Sequence, residues 1–189
     1  MNLYKLHNKP ETLYGYDQQY KLPEVAYENA MSNQGRSPDL EPYIMKDPMW
    51  IYWYAHDIIK GRWLEAEQYI MTDPEWAYRY ARNIIEGRWT DAEPYIMKHP
   101  AYAYWYALYI IKGRFPEAEQ YIMTDHEYAY RYAAHIIKGR FIEAEPYIMK
   151  HYYWAYLYAR FIIKGRWLEA ESVIMKDPYW WDWYKKIKR

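Results

Sequence analysis

Asp73 to Arg88 reads DPEWAYRYARNIIEGR, and the reading of this stretch decides the fold. WTDAEPYIMK follows it, from Trp89 to Lys98, and then the phrase begins again. The Gly-Arg pair that closes it recurs at Gly35, Gly61, Gly87, Gly113, Gly139 and Gly165, each 26 residues after the one before. A fixed period of that length marks a stacked repeat array. Asp73 suits a helix N-cap, and Pro74 suits the first helical position, where a missing N–H costs nothing. Asp47–Pro48 and Asp177–Pro178 repeat the pair. Trp76, Ala77, Tyr80, Ala81, Ile84 and Ile85 then recur at steps of three and four, the stripe of a helix that buries one face. Gly87 is expected to end the helix in the left-handed conformation. From Pro74 to Glu86 that helix would be ~20 Å long.

A shorter second helix completes each copy. Pro42, Pro94, Pro116 and Pro146 are tolerated only in a first turn. Both proline positions are satisfied by a helix that begins near Glu117, or its equivalents, and runs about eight residues to Met123. Its early acids, such as Glu117 and Glu119, suit the positive end of the helix dipole. Helices this short do not hold alone, so burial must come from stacking. The expected fold is all-α, an α-solenoid of two-helix repeats: about six repeats plus terminal caps. Residues 1–21 fall outside the pattern and are expected to form an N-terminal cap, partly loop. Residues 22–177 form the array, and 178–189 a capping helix.

Charge and composition narrow the function. The chain of 189 residues carries 25 Lys+Arg against 25 Asp+Glu, which argues against a non-specific nucleic-acid binder. It has no cysteine, hence no disulfide framework and no thiolate metal site. No apolar run reaches about 18 residues, so no membrane span is expected. The N-terminus lacks a signal-peptide pattern, and cytoplasmic residence is the expectation. The six histidines have no metal-ligand spacing, and no phosphate loop or nucleophile elbow occurs. Neither cofactor, metal nor enzymatic activity is expected.

The copies can be compared with one another. Tyr54, Tyr80, Tyr106, Tyr132 and Tyr158, the alanine after each, the Ile-Ile pair and the Ile-Met pair do not change; these columns are the expected core. The column Glu67, Glu93, Glu119, Glu145 and Glu171 also faces inward and must be paired. Its candidate partners are the arginine of each Gly-Arg pair and the tyrosine hydroxyls. Other columns of the long helix vary. They hold Trp53, Arg79, Trp105 and Arg131; His56, Arg82 and Arg160; Tyr109, His135 and Phe161. Their spacing puts them on one face, and solenoids bind along such faces. Trp, Tyr and Arg are also the residues enriched at interface hot spots. The expected function is a non-enzymatic, protein-binding scaffold that uses this face. The first alternative is nucleic-acid or nucleotide binding, with arginines on phosphates and Trp53, Trp105 and Tyr109 on bases. The second is a self-assembling structural protein.

The alternation of two short helices resembles the α-solenoid class that includes tetratricopeptide and Sel1-like repeats, with a shorter period and without their signature motifs. The wording DPxWAYxYAxxIIKGRWxEAExxIMK is similar to a short tandem repeat of tailed-bacteriophage and marine-virus proteins. That resemblance covers about residues 35–180 and implies a viral protein of the host cytoplasm that acts on a host or phage protein. It transfers no site residue.

Overall fold

The computed structural model describes residues 22–187; the cap expected at 1–21 lies outside them. The described residues form thirteen helices and no strand, the all-α repeat architecture expected. Seven longer helices alternate with six shorter ones. They are α1 (Pro23–Ser32), α2 (Glu41–Ile44), α3 (Pro48–Tyr54), α4 (Leu64–Ile70), α5 (Pro74–Tyr80), α6 (Glu93–Ile96) and α7 (Pro100–Tyr106). There follow α8 (Pro116–Ile122), α9 (His126–Tyr132), α10 (Glu145–Ile148), α11 (Tyr152–Tyr158), α12 (Glu171–Ile174) and α13 (Pro178–Tyr184). The chain divides into two compact units, Met1–Ile70 and Met71–Arg189.

The starts of the long helices follow the sequence. Asp47, Asp73, Asp125 and Asp177 each accept a hydrogen bond from a backbone N–H of the first turn, at 2.8–3.1 Å. His151 stands where the other copies have aspartate, and its Nδ1 accepts from the Tyr153 N–H at 3.3 Å. His99 at the same place makes no such bond.

The ends differ from expectation. Each of α3, α5, α7, α9 and α11 continues into one widened π turn: Ala55–Ile59, Ala81–Ile85, Ala107–Ile111, Ala133–Ile137 and Ala159–Ile163. The left-handed residue is then the one before the glycine. Lys60, Glu86, Lys112, Lys138 and Lys164 have φ of 57–59°, and no glycine among the described residues has positive φ. The glycine N–H instead reaches back to the alanine that opens the π turn, as in Gly113 to Ala107 at 3.1 Å. A side chain in the left-handed region costs roughly 1–2 kcal/mol that glycine does not. A Cβ at Gly113 would meet nothing within 4 Å. Lys112→Gly is therefore expected to raise stability by about 1 kcal/mol, and Gly113→Ala to change it little. A urea midpoint for Lys112→Gly at or below that of the parent would contradict this geometry.

The shorter helices come in two lengths. α4 and α8 span seven residues, whereas α2, α6, α10 and α12 have four. In α2, α6 and α10 the second residue is proline, which has no N–H to extend the ladder backward. The preceding turn tightens instead, as at Ile142–Ala144 before α10. α12 shares the form with serine at that place, and nothing in the structure explains it.

The core is built from the constant columns, with two corrections: the methionine of each Ile-Met pair is only half-buried, or exposed in the case of Met175, and the Ile-Ile pair also falls short. Ile44, Ile70, Ile96, Ile122, Ile148 and Ile174 are fully buried, as are Tyr54, Tyr80, Tyr106, Tyr132, Tyr158 and Tyr184 and the alanines that follow the first five. The Ile-Ile pair is only half-buried, because it sits at the far end of the π turn.

One tyrosine per copy ties three segments together. The Tyr132 hydroxyl donates to Glu119 at 2.8 Å and accepts from the Phe115 N–H at 2.7 Å. Its ring packs on Phe141 with centroids 5.7 Å apart. Glu119 in turn takes both Nε and Nη2 of Arg114, at 2.8 and 2.7 Å. The same clamp recurs as Arg88–Glu93–Tyr106, Arg140–Glu145–Tyr158 and Arg166–Glu171–Tyr184 in the second unit. Arg36–Glu41–Tyr54 repeats it in the first. Both partners expected for the glutamate column are thus used at once, and the carboxylate brings short helix and long helix together.

Candidate functional site

The groove between α5 and α7

The variable columns fall on the second half of each long helix. His56, Arg82, Tyr109, His135, Arg160 and Phe161 all lie in the π turns, a local geometry that recurs at functional sites. In the second unit four of the ten expected residues meet in one groove of 420 Å³: Arg79, Arg82, Trp105 and Tyr109. Tyr78, Asn83 and Tyr102 complete it.

Its walls are aromatic. Trp105 packs against Tyr102 at 5.4 Å between centroids and against Tyr78 at 6.0 Å. Arg82 lies over the Tyr109 ring, 4.3 Å from its centroid, and donates through Nη1 to the Tyr78 hydroxyl at 2.8 Å. Burial pushes the Tyr78 hydroxyl above its ordinary pKa. Arg79 is held differently: it pairs with Glu75 at 2.8 Å and lies over Trp76. Glu75 also accepts from the Tyr102 hydroxyl at 2.6 Å. That bond, more than Arg79, keeps its carboxyl below the usual range. The result is two guanidinium groups in an aromatic groove. One is neutralised by a carboxylate. The other is held by one ring and a hydroxyl, with no ion pair among the described residues.

The remaining expected residues are dispersed. Arg131 is half-buried, pairs with Glu127 at 2.8 Å and faces the Trp154 ring at 5.9 Å. His135 is exposed, and its Nδ1 lies 2.6 Å from the Tyr104 hydroxyl of the preceding copy. Arg160 lies over Phe161 at 5.3 Å and donates to Tyr156. In the first unit Trp53 is partly exposed and stands edge-on to Tyr52 at 5.1 Å. His56 pairs with Asp57 at 2.6 Å. The variable columns are therefore cross-linked between copies, so a change at one position has a partner to satisfy at another.

Tyr78 and Tyr102 were missed from sequence because their columns are aromatic in every central copy and read as core. Their hydroxyls were the available signal, since a buried phenol needs a polar neighbour.

His126 and His151 stack with centroids 4.9 Å apart. Burial, and then the charge on His126, lower the His151 pKa. A lowered folded value means that the unfolded chain binds this proton more readily. The contribution is present above the unfolded value of about 6.5 and is lost as pH falls through the folded one, when Nδ1 can no longer accept the Tyr153 N–H. The melting temperature is expected to fall on acidification below pH ~6.5. His151→Asp should raise it and flatten the profile; an unchanged profile would remove the cap from the explanation.

No group of three or more His, Asp or Glu able to hold a metal occurs among the described residues, and no described helix is long and apolar enough to cross a membrane. Fold and groove together define a helical repeat protein with an aromatic–arginine groove. No family, no curated protein and no solved structure matches the chain.

Proposed function

We propose that this protein is a non-enzymatic binding scaffold and that the groove between α5 and α7 takes a segment of a protein partner. The segment presents a planar or apolar side chain beside a carboxylate. One observation carries this reading: Arg82 stands in an aromatic groove on the Tyr109 ring without a carboxylate of its own among the described residues. A carboxylate suits it because a guanidinium receives one with two parallel hydrogen bonds, and the surrounding rings exclude water from the pair. Exposed aromatic surface such as Tyr109, 47% exposed, is also costly without an occupant. The balanced net charge favours a short acidic segment over a polyanion. The similarity of the repeat wording to bacteriophage and marine-virus repeats supports looking for the partner inside an infected cell, in the cytoplasm.

Selection from a random peptide library tests it. The intact protein should enrich peptides with an acid next to an aromatic or large apolar residue. The variant Arg82→Ala with Trp105→Ala should lose that enrichment while keeping its far-UV ellipticity; truncating two hot-spot residues costs roughly 2–4 kcal/mol each. Equal enrichment by both proteins would sink the proposal. Preferential binding of single-stranded nucleic acid with a steep salt slope would replace it by the nucleic-acid alternative.

A further inference from the structure

A second pocket, of 230 Å³, lies between the ends of α7 and α9 and is lined by Leu108, Lys112, Gly113, His135, Ile136 and Lys138. We propose that it is an oxyanion site of the phosphate class, separate from the groove between α5 and α7. Its polar side chains are two ammonium groups and an imidazole, and no carboxylate lines it. The neighbouring copies' inward glutamates are committed elsewhere, Glu119 to Arg114 and Glu145 to Arg140. Tyr104 holds the imidazole through Nδ1, which leaves Nε2 as the nitrogen that meets a ligand. Leu108 and Ile136 give the pocket an apolar part, which strengthens a charge contact relative to open water. The two ammonium charges match a doubly charged tetrahedral anion, and the volume admits a phosphate-sized group.

The backbone points the same way. Lys112 and Lys138 occupy left-handed positions, with φ of 58° and 57°, where glycine would be the relaxed choice. Glycine follows each of them at a place that requires none. The left-handed position is not lysine throughout, since Gln34 and Glu86 stand there in other copies. Two successive lysines coincide with a histidine in the intervening π turn only here among the described copies: the equivalents of His135 are Asp57, Asn83, Tyr109 and Phe161.

The test follows the His135 imidazole by NMR while inorganic phosphate is added at constant ionic strength, with chloride as the balancing ion. A saturable shift of the His135 ring resonances is expected, with a smaller effect from acetate. Lys112→Gly with Lys138→Gly removes both cations while relieving two left-handed side chains, so the fold is retained; phosphate should then bind at least ~10-fold more weakly. Lys112→Gln with Lys138→Gln repeats the comparison with the backbone preference left as it is. A phosphoserine peptide that binds more tightly than inorganic phosphate assigns the site to a phosphorylated chain, and one that binds more weakly assigns it to the free ion. A His135 response no larger than that to chloride, or one that persists in both double variants, overturns the proposal. Neither result bears on the peptide groove, whose residues are untouched.

Discussion

Glu119→Ala is expected to cost the protein ~2–4 kcal/mol of stability, while Arg114→Ala costs under ~1 kcal/mol, although the two residues form one ion pair. The asymmetry follows from where each sits. The Arg114 side chain is 58% exposed and that of Glu119 14%. Without Glu119 the guanidinium returns to water. The Tyr132 hydroxyl cannot follow, because the residue is 0% exposed, and it loses the acceptor for its proton. An unsatisfied buried donor carries its full desolvation cost. Tyr132→Phe should approach the Glu119 result by another route, since it orphans the Phe115 N–H as well. Glu119→Gln, which can still accept from the hydroxyl, should fall between the extremes. Urea denaturation of the four variants decides the matter. Equal losses for Arg114→Ala and Glu119→Ala would mean that the surface ion pair, and not the buried hydroxyl, holds the copies together.

The same tyrosines should make the protein unfold in alkali over a narrow range. Burial pushes the Tyr54 hydroxyl up to about 12. Burial likewise raises Tyr106, Tyr132, Tyr158 and Tyr184, with the backbone N–H donated to each hydroxyl as an opposing influence. A raised folded pKa means that the native state keeps its proton after the unfolded chain has released it. The contribution is fully present below the unfolded value of about 10 and is lost as pH rises through the folded one. In that window each such side chain lowers stability by ~1.4 kcal/mol per pH unit. Several acting together exhaust a typical stability of roughly 5–15 kcal/mol within about two pH units. Stability should therefore begin to fall just above pH ~10, helical ellipticity should be lost cooperatively within about two pH units of that, and the tyrosinate absorbance of the buried tyrosines should appear in step with the loss. Ionisation of all tyrosines at pH ~10 with the helices intact would show that these hydroxyls are not held as described.

Much of the fold was legible because a repeat states its own rules several times over. The N-caps at Asp47, Asp73 and Asp177 could be read, since an acid before proline has one use at a helix start. The glutamate column could be assigned inward, and its partners narrowed to Arg and Tyr, because a buried carboxylate must be paired. The π turns were not legible. Ala-x-x-Ile-Ile fits an ordinary helix, and the widened turn arises only when the chain reaches the left-handed residue with the glycine N–H bonded back to the alanine. Gly87 was accordingly misread: glycine is the usual left-handed residue, yet Glu86 takes that conformation here. Within the candidate groove, Arg79, Arg82, Trp105 and Tyr109 were visible as variable positions. Tyr78 and Tyr102 were hidden, because an aromatic column looks like core whether its hydroxyl lies in the core or in a groove.

The sequence by itself determined the period, the class and the helix starts, because spacing, proline and caps act locally along the chain. Only the tertiary structure decided which side chains meet. Arg82 comes over Tyr109, Tyr104 reaches His135, and Tyr132 joins Glu119 to Phe115 through contacts between residues one helix or one copy apart. Such contacts depend on how adjacent helices pack, and no local rule of spacing encodes that distance.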